Sequence, residues 1–161
     1  MFVPEDPRFD EMLVLAGRAT GSGLHDKDRA RWRDLCGQLL GELNTRGTEG
    51  TERRRALRAA ARVEVRLLAP EALSGLLTSS VGAGGLSVIM AQPPPIGTDL
   101  ELSIALEGRP VPIFARAQVA YVLPMLGENL VGVAFTNLVQ NERELLEGLA
   151  VRALLARIAA Q

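Results

Sequence analysis

The sequence predicts a mainly β domain, a six-stranded antiparallel barrel, with helices before and after it. Three observations predict this fold: apolar and polar residues alternate between residues 62 and 138, turn-forming residues interrupt that stretch at regular intervals, and a helical period holds outside it. The 161 residues are 47% hydrophobic and 23% charged, a composition typical of a chain that buries a core. The length fits one domain and a flanking segment.

Two helices are predicted before the alternating stretch. Residues 8–19 favour a short helix, and a second one follows with Asp26 or Asp28 as its cap. In this second helix, large apolar residues recur at helical spacing: Trp32, Leu35, Leu39, Leu40 and Leu43. Residues in this pattern pack into a core or an interface.

The composition also suggests where the parts of the chain meet. Glycine, threonine and charged residues dominate residues 45–52, as in a linker. We therefore expect an N-terminal helical segment over residues 1–44, a linker over 45–52, and the barrel with its C-terminal helix over 53–161.

Six strands are predicted, separated by loops rich in glycine and proline. They are expected at residues 62–68, 73–80, 85–90, 100–106, 111–123 and 130–138. Between the second and third lies a turn of small residues, TSSVGAGGLSV, whose Gly82, Gly84 and Gly85 suit a tight connection with positive φ. Three consecutive prolines make residues 92–99 a loop.

A helix is predicted from Asn141, its cap, to the C-terminus. Its apolar residues cover more than one face: Leu145, Leu146, Leu149, Val151, Leu154, Leu155 and Ile158. Such a helix has two neighbours. One is expected to be the barrel, and the other is either the N-terminal helices or a second subunit, which would make a homodimer through this helix.

The charge balance and rare residues exclude several classes of function. With 18 basic and 19 acidic residues, the chain lacks the basic excess of a protein that binds nucleic acid polymers. A single cysteine, Cys36, and a single histidine, His25, form neither a disulfide nor a paired metal site, so no metal is expected. No secretory signal and no apolar run of membrane-spanning length is present, so we expect a cytoplasmic protein.

Basic residues cluster immediately before the first strand. Arg54, Arg58 and Arg62 are spaced four residues apart. Guanidinium groups can hold phosphates bidentately and stack on bases, so the arm could clamp an anionic nucleotide. A solvated basic turn of helix is the alternative interpretation of the same residues.

Together, the arm and the turn resemble the PilZ family of bacterial barrel domains, which are receptors for cyclic di-GMP. RAAAR at residues 58–62 runs into VEVRL, the glycine-rich turn follows about twenty residues later, and LVGVAFTNL precedes a C-terminal helix. The resemblance covers about residues 52–155. It implies a PilZ-like barrel, cyclic di-GMP as the ligand, protein partners, and a setting in motility, surface polysaccharide or virulence control.

The turn departs from the family's Asp/Asn-x-Ser-x-x-Gly pattern. If Gly85 is the closing glycine, Ser80 takes the position of the acid or amide that bonds guanine, and Gly82 that of the serine. The resemblance then implies nucleotide-binding positions at Arg54, Arg58, Arg62, Ser80, Gly82 and Gly85, without the side chains that recognise the base.

Two functions follow from these residues. The first is a non-enzymatic regulatory adaptor that acts through protein contacts, with weak or lost cyclic di-GMP binding. The second is a working cyclic di-GMP receptor that uses Arg58, Arg62 and the turn at residues 80–85. An enzyme has no support, because no catalytic set of residues can be assembled from the sequence.

Overall fold

The computed structural model describes residues 2–46 and 56–161, and Arg54 lies outside them. Helices stand at both ends of a β region, as the sequence predicts. In chain order the elements are α1 (Pro7–Thr20), α2 (Asp26–Arg46), β1 (Arg58–Ala59), β2 (Glu64–Ala69), β3 (Leu73–Gly82), β4 (Gly85–Met90), β5 (Asp99–Ala105), β6 (Ile113–Met125), β7 (Glu128–Asn137) and α3 (Gln140–Ala159).

Six of the strands close into an antiparallel barrel. The order around it is β3, β2, β5, β6, β7 and β4, and the pairing of β3 with β4 completes the ring. Alternate residues point inward, because successive side chains of a strand lie on opposite faces. The interior is therefore apolar, with side chains such as Val65, Val81, Leu86, Ile104 and Val131.

The seventh strand, β1, has two residues and was not predicted. It pairs with the end of β3, where Arg58 lies opposite Gly82 and Ala59 opposite Val81. The predicted first strand at residues 62–68 begins at Glu64 instead, so Arg62 belongs to the segment between β1 and β2.

Helix α3 has the two neighbours that its apolar pattern predicts. Near its start, Leu145 and Leu146 enter the barrel core. Further along, Val151 and Leu155 join a second core with α1 and α2. The second neighbour is thus the N-terminal helices of the same chain, and the two contacts follow one another along the helix axis.

Asn141 is not the cap of α3, which corrects the sequence prediction. The helix begins one residue earlier, at Gln140, and Val139 in the cap position makes no capping side-chain bond. The Asn141 amide oxygen instead accepts a hydrogen bond from Arg29 of α2 at 3.0 Å. Arg29 also donates to both carboxylate oxygens of Glu144, at 3.1 and 3.0 Å, so it fixes α2 against α3.

The second core, here called the helical layer, is made by α1, α2, the later half of α3 and residues of β1. Its centre includes Met12, Trp32 and Leu35, each at most 1% exposed. Leu57 and Ala59, which belong to or adjoin β1, lie in the same cluster. The division at residues 44, 45–52 and 53 stays a prediction, since most of the linker lies outside the described residues.

Within the part of the chain that the structure describes, no helix has both the length and the apolar character needed to cross a bilayer.

Candidate functional site

The predicted turn is a tight hairpin rather than an extended stretch of turn residues. Strand β3 continues through Gly82 and β4 starts at Gly85, so Ala83 and Gly84 alone connect them. Thr78, Ser79 and Ser80 are strand residues. The small side chains therefore lie on the barrel wall, where hydroxyl groups can bond to neighbouring strands.

The predicted positive φ at Gly82, Gly84 and Gly85 is wrong, because none of the three adopts it. Gly82 and Gly85 are needed for a different reason. A Cβ on Gly82 would collide with the backbone carbonyl of Leu57, and a Cβ on Gly85 would collide with that of Val133. Their hydrogen atoms allow neighbouring backbone to approach closely.

Ser80 makes its hydrogen bond inside the barrel wall. Its hydroxyl lies 2.6 Å from the hydroxyl of Ser87 on β4, and the Ser79 hydroxyl lies 2.6 Å from the same group. Ser87 is only 2% exposed. Because a hydroxyl carries one proton, the two bonds within this trio use two of its three protons internally.

A row of four residues crosses the barrel wall from Ser80. Ser80 lies opposite Ser87, Ser87 opposite Gly132, and Gly132 opposite Tyr121. We call these four the polar row. The Tyr121 ring lies where a Cβ on Gly132 would be, so this glycine provides the space for the ring.

Arg58 reaches the end of the polar row. Its Nη1 donates to the Tyr121 hydroxyl at 3.3 Å. Since Arg58 of β1 pairs with Gly82, the structure places it beside the β3–β4 hairpin that carries Ser80, Gly82 and Gly85. Four of the six predicted site positions are therefore neighbours, and the guanidinium among them already contacts an internal partner.

The segment that contains Arg62 is bonded to β3 at Thr78, four residues before Gly82. The Thr78 hydroxyl accepts a hydrogen bond from the Val63 amide at 2.8 Å and donates to the Ala61 carbonyl at 2.6 Å. These two bonds fix the backbone on both sides of Arg62, whose side chain is exposed. Arg62 thus lies beside Thr78, whereas Arg58 lies beside Gly82 at the end of the same strand.

Sequence reasoning missed Thr78 and Ser87. A threonine two residues before Ser80 and a serine two residues after Gly85 were visible, but their roles depend on which strands they face. The signal for Tyr121 was Gly132, because a glycine inside a strand marks a close approach.

The arrangement can attract an anion and donate hydrogen bonds, but it offers no assembled catalytic group. Cys36 is buried in the helical layer, and this burial raises the pKa of its thiol, which suppresses the nucleophilic thiolate. Among the described residues, no cluster of three or more histidine, cysteine, aspartate or glutamate side chains could hold a metal ion.

Solved structures share this fold at low sequence identity. The Bacillus subtilis inhibitor of motility MotI/DgrA matches at TM-score 0.58 and 20% identity over 66% of this chain and 54% of its own. The K. pneumonia MrkH–c-di-GMP complex matches at TM-score 0.56 and 14% identity, over 66% and 55%. The PilZ domain of YcgR from Escherichia coli, solved with c-di-GMP, matches at TM-score 0.52 and 15% identity, over 66% and 95%.

The chain spans about half the length of MotI/DgrA and of MrkH, 54% and 55%. No curated protein sequence matches it. The PilZ domain profile matches residues 52–152, which is more than half of the 161 residues and includes the arm, the hairpin and most of α3. The chain therefore belongs to the PilZ domain family.

Proposed function

We propose that the chain is a non-enzymatic regulatory adaptor in cyclic di-GMP-linked signalling, with weak or lost binding of the nucleotide itself. The observation that carries this proposal concerns Ser80 and Gly82, the two positions at which the family's pattern has side chains that recognise the base. The Ser80 hydroxyl is bonded to Ser87, and Gly82 has neither a side chain nor room for one. A guanine edge seated there would leave polar groups without partners.

The expected loss of affinity is large. Each buried polar group left without a partner costs roughly 1–3 kcal/mol. Two such losses, about 2–6 kcal/mol together, weaken binding by a factor of roughly 30 to 20,000. Arg58 and Arg62 can still attract phosphates, but exposed charge–charge attraction is screened by salt, so it does not restore recognition of the base.

A working cyclic di-GMP receptor is the second candidate. It is supported by the two arginines beside the 80–85 hairpin and by the nucleotide in the MrkH and YcgR structures. Their identity to this chain is 14–15%, which transfers the fold but no binding residue.

Calorimetry of the full chain with cyclic di-GMP near physiological salt separates the two candidates. The adaptor predicts no binding heat at micromolar nucleotide. The receptor predicts saturable binding that Arg58→Ala and Arg62→Ala each abolish. Ser80→Asp restores a carboxylate at the first base-reading position and should raise affinity only if the rest of the site is competent.

Apolar side chains next to the polar row support protein contacts as the output. Ile89, Leu130 and Leu123 lie opposite one another on β4, β7 and β6, two residues from the polar row. Ile89 is 37% exposed and Leu123 52%. Leu126, at the tip of the β6–β7 hairpin, is fully exposed, so the apolar surface continues to that tip.

Photo-crosslinking in the native host tests this surface. A crosslinker at position 123 and one at position 126 should capture the same protein, whereas one at Phe114, an exposed residue near the opposite end of β6, should not. Equal capture from all three positions contradicts a specific partner surface. A cross-linked second copy of the chain would identify the partner as itself.

The proposed setting is the cytoplasm of a bacterium, with motility as the process. The name of the inhibitor of motility MotI/DgrA supports the process, and the reduced, buried Cys36 is consistent with the compartment.

A further inference from the structure

A cleft separate from the hairpin lies where the barrel meets the helical layer. It has a volume of about 410 Å³, within the range of small-molecule sites. Its walls come from the end of α1, the segment before β2, the β5–β6 connection and α3. Thr20 at the end of α1 forms part of the wall, so the N-terminal helices contribute to the cleft.

Three arginines converge on this cleft. Arg62 comes from the segment before β2, Arg109 from the β5–β6 connection and Arg152 from α3. Glu107 is the only acidic residue among the described residues that line it, so three positive charges and one negative leave +2. Like charges brought together without compensation destabilise a compact state, and an anion would relieve that repulsion.

The arginines are available to a ligand. Among the residues that the structure describes, the guanidinium groups of Arg62 and Arg109 make no hydrogen bond and no ion pair, and Arg109 donates only its backbone N–H, to the Leu106 carbonyl at 3.1 Å. Arg152 donates to the Thr20 hydroxyl at 3.3 Å, and that hydroxyl in turn donates to the Ala16 carbonyl at 2.9 Å. The end of α1 thus positions Arg152 at the cleft, with further guanidinium donors left to bind an anion.

The floor of the cleft is apolar. Leu145, only 3% exposed over its whole surface, and Leu149 line it from α3, and Leu106 lines it from the residue after β5. A ligand that filled the cleft would therefore place a charged group among the arginines and an apolar group over these leucines.

We propose that this cleft binds a phosphomonoester whose ester group is apolar or aromatic. A phosphomonoester carries about −1.5 to −2 charges at neutral pH, which matches the +2 of the lining, whereas a carboxylate carries one. Guanidinium groups also bind phosphate oxygens bidentately. The cleft shares Arg62 with the arginine arm, but Arg109 and Arg152 lie outside the hairpin site, so variants at these two positions test the cleft independently of the proposed adaptor function.

Nuclear magnetic resonance of the full chain with phenyl phosphate tests the proposal. Saturable shifts are expected for amides of residues 61–63 and 107–109. Arg109→Ala and Arg152→Ala should each weaken binding about tenfold, the effect of losing one charge-assisted hydrogen bond. Glu107→Gln should strengthen it, because this variant removes the opposing charge.

Matched controls define the outcomes that would overturn the proposal. Arg116→Ala, an exposed arginine outside the cleft, should leave phenyl phosphate binding unchanged. Benzoate and inorganic phosphate should both bind more weakly than phenyl phosphate, because each lacks one of the two features. Shifts that do not saturate at millimolar ligand, or that Arg109→Ala leaves intact, would contradict the assignment.

A phosphotyrosine peptide distinguishes the two sources of this chemistry. Tighter binding than phenyl phosphate identifies a modified protein segment as the ligand, and weaker binding identifies a free metabolite.

Discussion

The helical layer and the cleft between it and the barrel differ in how their arginines are paired. In the helical layer, Arg8 contacts Asp6 at 2.6 Å and Arg31 contacts Glu11 at 2.6 Å. Hydrogen bonds from Arg8 hold the pKa of Asp6 at about 2. In the cleft, by contrast, the guanidinium groups of Arg62 and Arg109 have no hydrogen-bonding or ionic partner among the described residues. Arg31 thus fixes α2 to α1, and Arg8 fixes the N-cap of α1, whereas the arginines of the cleft remain able to bind an anion.

The polar groups of the β3–β4 wall, unlike the arginines of the cleft, have internal partners, as those of the helical layer do. Trp32 is buried in the helical layer, and its indole N–H donates to Glu147 at 2.6 Å. On the barrel wall, Ser80 and Arg58 bond to Ser87 and Tyr121 where the family resemblance expects a ligand. Because these side chains already have partners within the barrel, fewer hydrogen-bonding groups remain to recognise a guanine base.

Trp32→Ala should give the largest effect, because it removes the largest fully buried side chain of the helical layer. The expected loss of unfolding free energy is about 3–5 kcal/mol. Urea unfolding measures it, with Leu126→Ala as the control, since this fully exposed side chain should change stability by no more than about 0.5 kcal/mol. Equal losses of unfolding free energy for Trp32→Ala and Leu126→Ala would contradict the difference in packing between the helical layer and the exposed hairpin tip.

Gly82→Ala should have the next largest effect. Its Cβ would meet the Leu57 carbonyl and displace β1 from β3, at a cost of roughly 1–3 kcal/mol. Gly84→Ala is the matched control, because its Cβ would lie 3.8 Å from the Ala56 Cβ, an ordinary contact. Thermal unfolding of both variants compares them, and an unchanged Tm for Gly82→Ala would mean that β1 does not pack as described.

Glu147→Gln should have a smaller effect that depends on pH. Burial, together with the nearby Glu144, raises the pKa of Glu147, while the Trp32 N–H and Arg143 oppose the shift. A raised pKa means that stability is fully present below the unfolded value, near 4.5, and falls as pH rises through the folded value.

The glutamine keeps an oxygen for Trp32 and removes the charge. The variant should therefore match the parent in acid and have a higher Tm at neutral pH. Thermal unfolding across this range measures the difference, and a variant that is less stable at neutral pH would show that the ionised carboxylate is favourable.

The fold could be predicted because its signals are local. Alternation located the barrel strands to within a few residues, and the apolar spread of α3 predicted its two neighbours. Strand β1 could not be predicted, since two residues, Arg58 and Ala59, are too short to show a period.

The site could be predicted only in part. The sequence placed Arg58, Ser80, Gly82 and Gly85 near one another, but the partner of each depends on strand register. Irregularities between Thr78 and Ser80, and between Val119 and Tyr121, set that register. A bulge changes which side chains face each other, and neither one has a sequence signature here.

The most direct measurement follows the backbone amides of residues 80–85 by nuclear magnetic resonance while cyclic di-GMP is added to the full chain. Because the Ser80 and Arg58 side chains already bond to Ser87 and Tyr121, we expect the chemical shifts of these amides to stay unchanged at micromolar nucleotide. Saturable shifts in that stretch, lost in Arg58→Ala, would contradict the account and establish a working receptor.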